Sequence, residues 1–159
     1  MTMRVGIGFD QHPLVAGRPL VLGGVTIASD VGLGGHSDAD VVIHALVDAL
    51  LGAAALGDIG TYFPSVDPKW KDASSVIFLE AAVGMLADHG WRVGNVDATI
   101  LAARPRLAPH VEAMRTTLAP ILCVDVGSVS VKAKSANGLG AVGRAEGIAC
   151  HAVAMIAKI

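Results

Sequence analysis

The chain has 159 residues, a length that fits one domain (residues 1–159) with a single hydrophobic core. Its formal net charge of −2 argues against nucleic acid as a partner, because binding to a phosphate backbone requires a basic surface. Hydrophobic residues make up 53% of the chain and aromatic residues only 4%. We interpret this excess of small aliphatic side chains as a sign of a subunit interface, which hides more apolar surface than one core can.

The first segment, residues 4–9, predicts a β-strand, because its alternating pattern places Val5, Ile7 and Phe9 on one face. The strand leads directly into the run Asp10-Gln11-His12. Along an extended segment, residues two apart point the same way, so the aspartate and the histidine share a face. Because the strand begins so close to the first residue, the sequence predicts no signal peptide, and we expect a cytoplasmic protein.

Two short apolar runs, 20–22 and 25–27, flank Gly23-Gly24 and predict a β-hairpin. The glycine-rich residues 32–35 predict a flexible loop. The two runs and the loop therefore connect the first strand to the next long element.

The stretch 36–60 predicts a long buried helix. Ser37 followed by Asp40 forms a capping pattern ahead of an apolar run. Asp40, His44 and Asp48 recur every four residues and should lie on one helix face. Ionisable side chains on a buried helix are costly unless they are paired or ligated, so this face is predicted to carry chemistry. The same residues argue against a membrane span.

The rest of the chain predicts two further helices and at least two further strands. We expect a polar, mobile loop over 57–72, a helix capped by Ser74 or Ser75 that stops at Gly90, a strand over 91–103 that Pro105 ends, a helix over 108–122 that Pro120 limits, a strand over 128–134, and a helix or strand over 148–156. This mixture predicts an α+β fold, with a mixed β-sheet and helices packed on one face.

Asp10, His12 and His44 form the first candidate functional group. Two imidazoles and one carboxylate are the ligand set of an open catalytic zinc site, which leaves a fourth position for water or substrate. From spacing alone, the alternative that each histidine is a hydrogen-bonded core or surface residue stays open. Asp40 or Asp48, one turn on either side of His44, would accept a hydrogen bond from an imidazole, or would serve as a helix cap or salt-bridge partner.

The second half of the chain holds a basic set, Arg104, Arg106, Lys132 and Lys134. These residues suit a small anionic ligand such as a diphosphate, with solvated charge at strand ends as the alternative. The run Gly138–Gly143 satisfies the G-x-G-x-x-G pattern of dinucleotide-binding folds. Too few residues follow it for the helix, strand and acidic residue that such a fold needs, so we reject that interpretation.

Cys123 and Cys150 are too few for a disulfide framework and lack the spacing of metal ligands. We therefore expect each to be a buried, reduced thiol.

Five motifs, taken in chain order, carry a resemblance to a known family. They are GFDQH at 8–12, GHSDADVVIHALVDALLGAAALGDIG at 35–60, FPSVDP at 63–68, ARPRLAPH at 103–110 and GLGAVGRAEGIA at 138–149. Together they cover essentially the whole length, and the second motif is highly specific. The chain closely resembles the 2-C-methyl-D-erythritol 2,4-cyclodiphosphate synthase family of the non-mevalonate isoprenoid pathway.

The resemblance implies a homotrimer with active sites between subunits, each combining a zinc half from one chain with a cytidine half from its neighbour. It implies one Zn²⁺ per subunit on Asp10, His12 and His44, and Mg²⁺ or Mn²⁺ bound with the substrate. It implies catalytic contacts at His36, Ser37 and Ser135. The substrate contacts that it implies are Asp58, Ile59, Gly60, Phe63, Pro64, Ser65, Asp67, Ala102, Arg106, Leu107, Ala108, Lys134, Ser135 and Arg144.

In the family reaction, the 2-phosphate of a cytidine-diphosphate-linked methylerythritol attacks the β-phosphorus, CMP leaves and an eight-membered cyclodiphosphate forms. The resemblance thus implies a phosphorus–oxygen lyase whose partners are this nucleotide-linked small molecule and further copies of the chain, with no nucleic acid or membrane. Two alternatives stay open. One is a non-catalytic trimer that binds anionic isoprenoid metabolites, and the other is a zinc phosphoesterase that makes a linear product.

The chain departs from the family pattern at Arg106, where a lysine is usual, at Ala145, where GRAEG replaces GRGEG, and in two further places. Residues 134–137, Lys-Ser-Ala-Asn, stand where the family usually has a Thr-Thr-x-Glu type segment. Ser135 keeps the hydroxyl, but Asn137 replaces a carboxylate that would hold magnesium, which predicts a weaker magnesium requirement. Ala141 replaces the family's aromatic residue beside Arg144, near the expected trimer axis, so binding of an isoprenoid diphosphate there does not follow.

Overall fold

In the computed structural model, which describes residues 2–159, a five-stranded mixed sheet forms one layer and the helices pack on one of its faces. The strands are β1 (Met3–Ala16), β2 (Leu20–Leu22), β3 (Val25–Ile27), β4 (Val31–Leu33), β5 (Trp91–Leu101), β6 (Val129–Lys134) and β7 (Gly147–Lys158). The helices are α1 (Val41–Ala54), α2 (Ile59–Tyr62), α3 (Val76–Asp88), α4 (Val111–Ile121) and α5 (Gly140–Gly143). The predicted α+β class is confirmed.

The sheet has the order β4–β1–β7–β5–β6, and β2 and β3 form the predicted hairpin as a separate pair. Strands β5 and β6 run parallel, whereas β1 pairs antiparallel with β4 and β7, and β5 pairs antiparallel with β7. Helix α4 lies in the connection between β5 and β6, as a parallel crossover requires.

Helix α1 forms the centre of the core and packs against β1 and β7. The approach to β1 is so close that the strand carries glycine at Gly6 and Gly8. A Cβ atom at Gly8 would lie 1.9 Å from the carbonyl oxygen of Ala45, and one at Gly6 would lie 2.0 Å from that of Ala49. Gly6 and Gly8 therefore fix the distance between the strand and the helix.

Helix α1 begins at Val41, and the prediction that Ser37 caps it is wrong. The N-cap is Asp40, whose carboxylate accepts hydrogen bonds from the N–H groups of Val42 and Ile43. The backbone at Ala39 has a φ of 58°, so the helix cannot extend back to residue 37. The Asp40 carboxylate also accepts from the N–H groups of the β2–β3 turn, and burial raises its pKa to about 6.

Several other predicted boundaries change because neighbouring strands extend the elements. Pairing with β7 continues β1 to Pro13 and pairing with β4 continues it to Ala16, so Asp10 and His12 lie within a strand. Gly32 and Leu33, expected to belong to the flexible loop over 32–35, form part of β4 on the edge of the sheet. The ambiguous segment 148–156 is β7, the central strand.

The connections and cysteines also differ from expectation. The 57–72 loop contains α2 and a 3₁₀ turn over Pro68–Trp70, and the helix expected from residue 108 starts as a 3₁₀ turn before α4. Cys150 is buried, and burial raises the pKa of its thiol to about 12, but Cys123 is exposed, which corrects the prediction for that residue. Within residues 2–159 no helix is both long and apolar enough to cross a membrane.

The outer face of the sheet is apolar and exposed in the isolated chain. Val5 is 68% exposed, Ile7 71% and Phe9 47%, and Val153 of β7 is 43% exposed on the same face. The prediction that the first three share a face is confirmed, and they face away from α1. An exposed apolar patch of this kind is typical of an interaction surface.

Candidate active site

Three side chains converge where β1 passes α1. The Oδ2 atom of Asp10 lies 2.9 Å from Nε2 of His12 and 2.9 Å from Nδ1 of His44, and the two nitrogens are 3.3 Å apart. A tetrahedral zinc ion with bonds of about 2.0–2.1 Å spaces its ligands about 3.3 Å apart. This group, called the triad below, therefore fits a metal ion after a small opening, and its donors are those that zinc prefers.

The electrostatics of the triad favour a cation. Burial raises the pKa of Asp10, but the hydrogen bonds and charges of both imidazoles outweigh it and lower the pKa to about 2. Burial lowers the pKa of His12, but the hydrogen bond and charge of Asp10 outweigh it, so the net shift is upward. At such a group, a metal ion competes with protons for the ionised carboxylate and the two imidazoles.

The backbone orients His12. Its Nδ1–H donates a hydrogen bond of 2.8 Å to the carbonyl oxygen of Gly34, just beyond β4. The proton on Nδ1 leaves the Nε2 lone pair pointing towards Asp10. The sequence analysis missed this contact, since a backbone carbonyl gives no signal in the sequence.

A buried serine orients His44. The Nε2 atom of His44 lies 2.8 Å from Oγ of Ser75, which is fully buried at the start of α3, and 3.3 Å from Oγ of Ser37. Ser75 in turn hydrogen-bonds to the carboxylate of Asp38 through both its hydroxyl and its backbone N–H. Neither Asp40 nor Asp48 accepts from an imidazole. The alternative that Asp40 serves as a helix cap is confirmed, and Asp48 accepts from the N–H of Ile59.

The triad opens into a cavity of about 240 Å³, the zinc-side cavity. Its lining residues are Asp10, His12, His36, Ser37, His44, Ile59, Gly60, Phe63, Ser65, Trp70 and Phe78. The structure thus brings the predicted ligands together with six of the residues that the resemblance implied. Trp70 and Phe78 are additional, and no spacing pattern pointed to them.

The polar side of the zinc-side cavity is held in place by hydrogen bonds. His36 donates from Nε2 to the carbonyl oxygen of Asp67 at 2.9 Å, which ties it to the 63–68 motif. Arg18 donates to the carbonyl oxygens of Gly35 and Ser37. The two residues that flank His36 are therefore anchored by an arginine that sequence analysis did not single out.

The opposite side of the cavity consists of α2 and the aromatic residues after it. Asp58 caps α2 by accepting from the N–H and the hydroxyl of Thr61, and the 2.8 Å bond from Ile59 N–H to Asp48 joins α2 to α1. The ring of Phe63 packs on Phe78 at 4.6 Å and on Trp70 at 5.4 Å. Of the other predicted loop contacts, Asp58, Pro64 and Asp67 adjoin the cavity without lining it.

A second cavity, the basic cavity, contains the remaining predicted contacts apart from Arg144. About 250 Å³ in volume, it is lined by Ala102, Ala103, Pro105, Arg106, Leu107, Ala108, Ala133, Lys134 and Ser135. Within residues 2–159, neither Arg106 nor Lys134 forms an ion pair, whereas Arg104 pairs with Asp30 and Lys132 with Asp97. The basic cavity shares no lining residue with the zinc-side cavity.

Beyond the basic cavity, the chain turns sharply through the segment that departs from the family pattern. Asn137 has a φ of 52°, and its N–H and side chain hydrogen-bond to the hydroxyl of Ser135. Arg144 lines neither cavity and pairs with Glu146 at 2.6 Å. These positions lie at the surface of the isolated chain.

Comparison with known proteins places the geometry in context. Residues 3–157 match the model of the YgbB family. The chain is 56% identical over 155 residues to the 2-C-methyl-D-erythritol 2,4-cyclodiphosphate synthase of Symbiobacterium thermophilum, covering 98% of this chain and 99% of that protein.

Among solved structures, the bifunctional IspDF of Campylobacter jejuni superposes with a TM-score of 0.96 at 39% identity, covering 99% of this chain and 43% of that longer one. IspF of Plasmodium falciparum, in complex with CDP, superposes with a TM-score of 0.86 at 32% identity, covering 98% and 96% of the two chains.

Proposed function

The chain belongs to the YgbB family, and we propose that it converts 4-diphosphocytidyl-2-C-methyl-D-erythritol 2-phosphate into 2-C-methyl-D-erythritol 2,4-cyclodiphosphate and CMP. The observation that carries the proposal is the triad of Asp10, His12 and His44, which opens into a cavity lined by the family's characteristic segments. In the reaction, an oxygen of the 2-phosphate bonds to the β-phosphorus. The bond from that phosphorus to the oxygen of the leaving CMP breaks, so atoms and charge balance without an oxidant or reductant.

The metal of this proposal is zinc, held by Oδ2 of Asp10, Nε2 of His12 and Nδ1 of His44. When bound there, zinc would supply Lewis acidity and a fixed position for a phosphate oxygen. The oriented ring nitrogens and the ionised carboxylate support this assignment.

The chain's own residues would bind and orient the phosphates. His36 and Ser37 border the triad on the polar side of the zinc-side cavity, where their side chains would position the attacking 2-phosphate. Ile59, Gly60, Phe63 and Ser65 would hold the methylerythritol part and exclude water from the reacting phosphorus. Exclusion of water matters, because water that attacked the same phosphorus would give a linear product.

The basic cavity would take the cytidine end. Residues 102–108 would surround the base and ribose, while Arg106, Lys134 and the Ser135 hydroxyl would bind the diphosphate. The CDP in the Plasmodium falciparum relative supports a nucleotide-binding half in this fold. The separation of the two cavities supports a site that combines halves of two chains.

A homotrimer completes the proposal. The exposed apolar face around Val5, Ile7 and Phe9 would form the central interface and thereby bring one chain's zinc-side cavity to another chain's basic cavity. A second divalent ion, Mg²⁺ or Mn²⁺, would accompany the diphosphate, and Arg144 would contact substrate or another anion near the threefold axis. A cytoplasmic location belongs to the same proposal.

The test of the metal centre is CMP release by the wild type and by the variant His44→Ala. We expect the variant to lose at least about a thousandfold in activity because a zinc ligand is missing. Chelation should inactivate the wild type, and added zinc should restore it. Light scattering provides the control, since the variant should keep the wild-type mass. Full activity in His44→Ala would refute the metal assignment.

A further inference from the structure

Ser75 occupies the N-cap position of α3 but does not cap the helix. Its side chain makes no hydrogen bond to the first-turn N–H groups, and its backbone is already helical, with φ −65° and ψ −15°. A serine at this position usually stabilises the helix by accepting from a first-turn N–H. The Ser75 hydroxyl instead points to the Nε2 atom of His44 at 2.8 Å.

The hydroxyl of Ser75 has one proton to donate and two acceptor positions. One of its partners is the Oδ1 atom of Asp38, a carboxylate oxygen that accepts the hydrogen bond. The Ser75 proton must therefore go to Asp38. As a result, the Ser75 oxygen can only accept from His44, so Nε2 of His44 is the nitrogen that carries a proton.

The Asp38 carboxylate is fixed on several sides. Oδ2 accepts from the N–H of Ser75 at 3.0 Å, and Oδ1 also accepts from the N–H of Asp40 at 3.1 Å. The backbone N–H of Asp38 donates to the carbonyl oxygen of Ala73 at 2.9 Å. The carboxylate therefore joins the loop before α1 to the start of α3, and it cannot turn away from the serine without breaking these bonds.

We propose that Asp38, acting through Ser75, is a positioning pair that keeps the proton of His44 on Nε2 and thereby directs Nδ1 to the metal. Neither residue touches the substrate or the triad's ligand atoms. The proposal rests on the proposed function only in taking the triad to hold zinc. Ser37 also lies near Nε2 of His44, but at 3.3 Å, and its hydroxyl accepts from the N–H of Ala39.

Because these hydrogen bonds have a fixed direction, the variants Ser75→Ala and Asp38→Asn should weaken zinc binding to different extents. In Ser75→Ala, His44 loses its main acceptor, and its ring can still turn to Ser37. In Asp38→Asn, the amide group can donate to Ser75, whose hydroxyl then donates to Nε2 of His44. This reversal places the ring proton on Nδ1, the nitrogen that would otherwise bind the metal ion.

The experiment measures zinc affinity by competition with a chromophoric chelator, for the wild type, Ser75→Ala, Asp38→Asn and the control Ser74→Ala. Loss of a partner that orients a metal ligand typically costs about 10–100-fold in affinity. We expect a loss of about tenfold in Ser75→Ala, a larger loss, towards 100-fold, in Asp38→Asn, and no change in Ser74→Ala, whose hydroxyl only accepts from the N–H of Val76.

Two further readouts separate positioning from general stability. The zinc-loaded wild type should show a downfield imidazole proton, protected from exchange, that both variants lose, and the visible spectrum of the cobalt-substituted protein should change in both variants. Equal zinc affinity in all four proteins, with only the melting temperature lowered, would overturn the proposal and leave Asp38 and Ser75 a structural role. Failure of the wild type to bind zinc would overturn the metal assignment as well.

Discussion

At the scale of single residues, the most informative departure from the family is Asn137. Its side-chain amide is neutral, and it hydrogen-bonds to Ser135 at the surface of the isolated chain. Magnesium favours charged oxygen ligands. If the second metal ion binds near this residue, an amide in place of a carboxylate weakens that binding.

The variant Asn137→Glu should therefore lower the magnesium concentration that gives half-maximal activity by about tenfold, equivalent to about 1.4 kcal/mol. The measurement is a magnesium titration of CMP release at saturating zinc. Asn137→Gln is the matched control. Its side chain is as long as that of glutamate and is placed on the same positive-φ backbone, but it carries no charge. An unchanged titration in Asn137→Glu would show that this residue does not contribute to the second metal site.

The residue scale also shows what spacing can predict. Asp10, His12 and His44 were found from sequence because the strand period and the helix that follows bring chemically matched side chains to one place. Asp38 and Ser75 were not found, since their contacts depend on how the start of α3 packs beside the loop before α1. Ser74 or Ser75 was predicted as the cap of this helix, and local preference alone cannot distinguish a serine that caps from one that faces a histidine.

At the scale of elements, the packing of β1 on α1 sets the geometry of the triad. The strand supplies Asp10 and His12, and the helix supplies His44. Gly6 and Gly8 let the two elements approach until the ligand atoms lie 2.9–3.3 Å apart. A side chain on the inner face of this strand segment would push α1 outward and separate the ligands.

The variant Gly8→Ala should therefore lower the free energy of unfolding by about 3 kcal/mol or more, because its Cβ would overlap the helix backbone. It should also weaken zinc binding in whatever fraction folds. Chemical denaturation and chelator competition measure the two effects. Gly52→Ala is the control, since a Cβ there meets nothing within 4 Å, and alanine in a helix should be neutral or stabilise by up to about 1 kcal/mol. Equal stability of both variants would contradict this account.

The elements themselves were largely predictable where a pattern is local and repeated. The alternation over residues 4–9 correctly predicted a strand, and the apolar run of α1 correctly predicted a helix. Local patterns could not predict the extent of β1, the existence of β4 or the strand conformation of residues 148–156. Each of these depends on a partner strand distant in sequence, and strand pairing overrides local preference.

At the scale of the whole molecule, the outer face of the sheet connects assembly with activity. Ile7 is 71% exposed on that face, although its strand, β1, is paired on both sides within the sheet. If this face forms the trimer interface, a buried charge there should separate the subunits, and the two cavities would no longer meet.

The variant Ile7→Glu should therefore sediment as a monomer and lose CMP release, yet keep zinc affinity near that of the wild type because the triad lies within one chain. Analytical ultracentrifugation and chelator competition make the comparison. Val126→Glu serves as the control, since that residue is also exposed but lies before β6, away from the apolar face. A trimeric, active Ile7→Glu protein would refute the assigned interface.

The central claim, ring closure on a metal-bound diphosphate, is tested most directly by phosphorus NMR of the reaction mixture. The purified protein is incubated with 4-diphosphocytidyl-2-C-methyl-D-erythritol 2-phosphate, zinc and magnesium. We predict free CMP together with the paired resonances of a cyclic diphosphate, and neither in His44→Ala. CMP with a linear product would indicate a phosphoesterase, and unchanged substrate beside a zinc-loaded trimer would indicate a binding protein. Either result would contradict the proposed function.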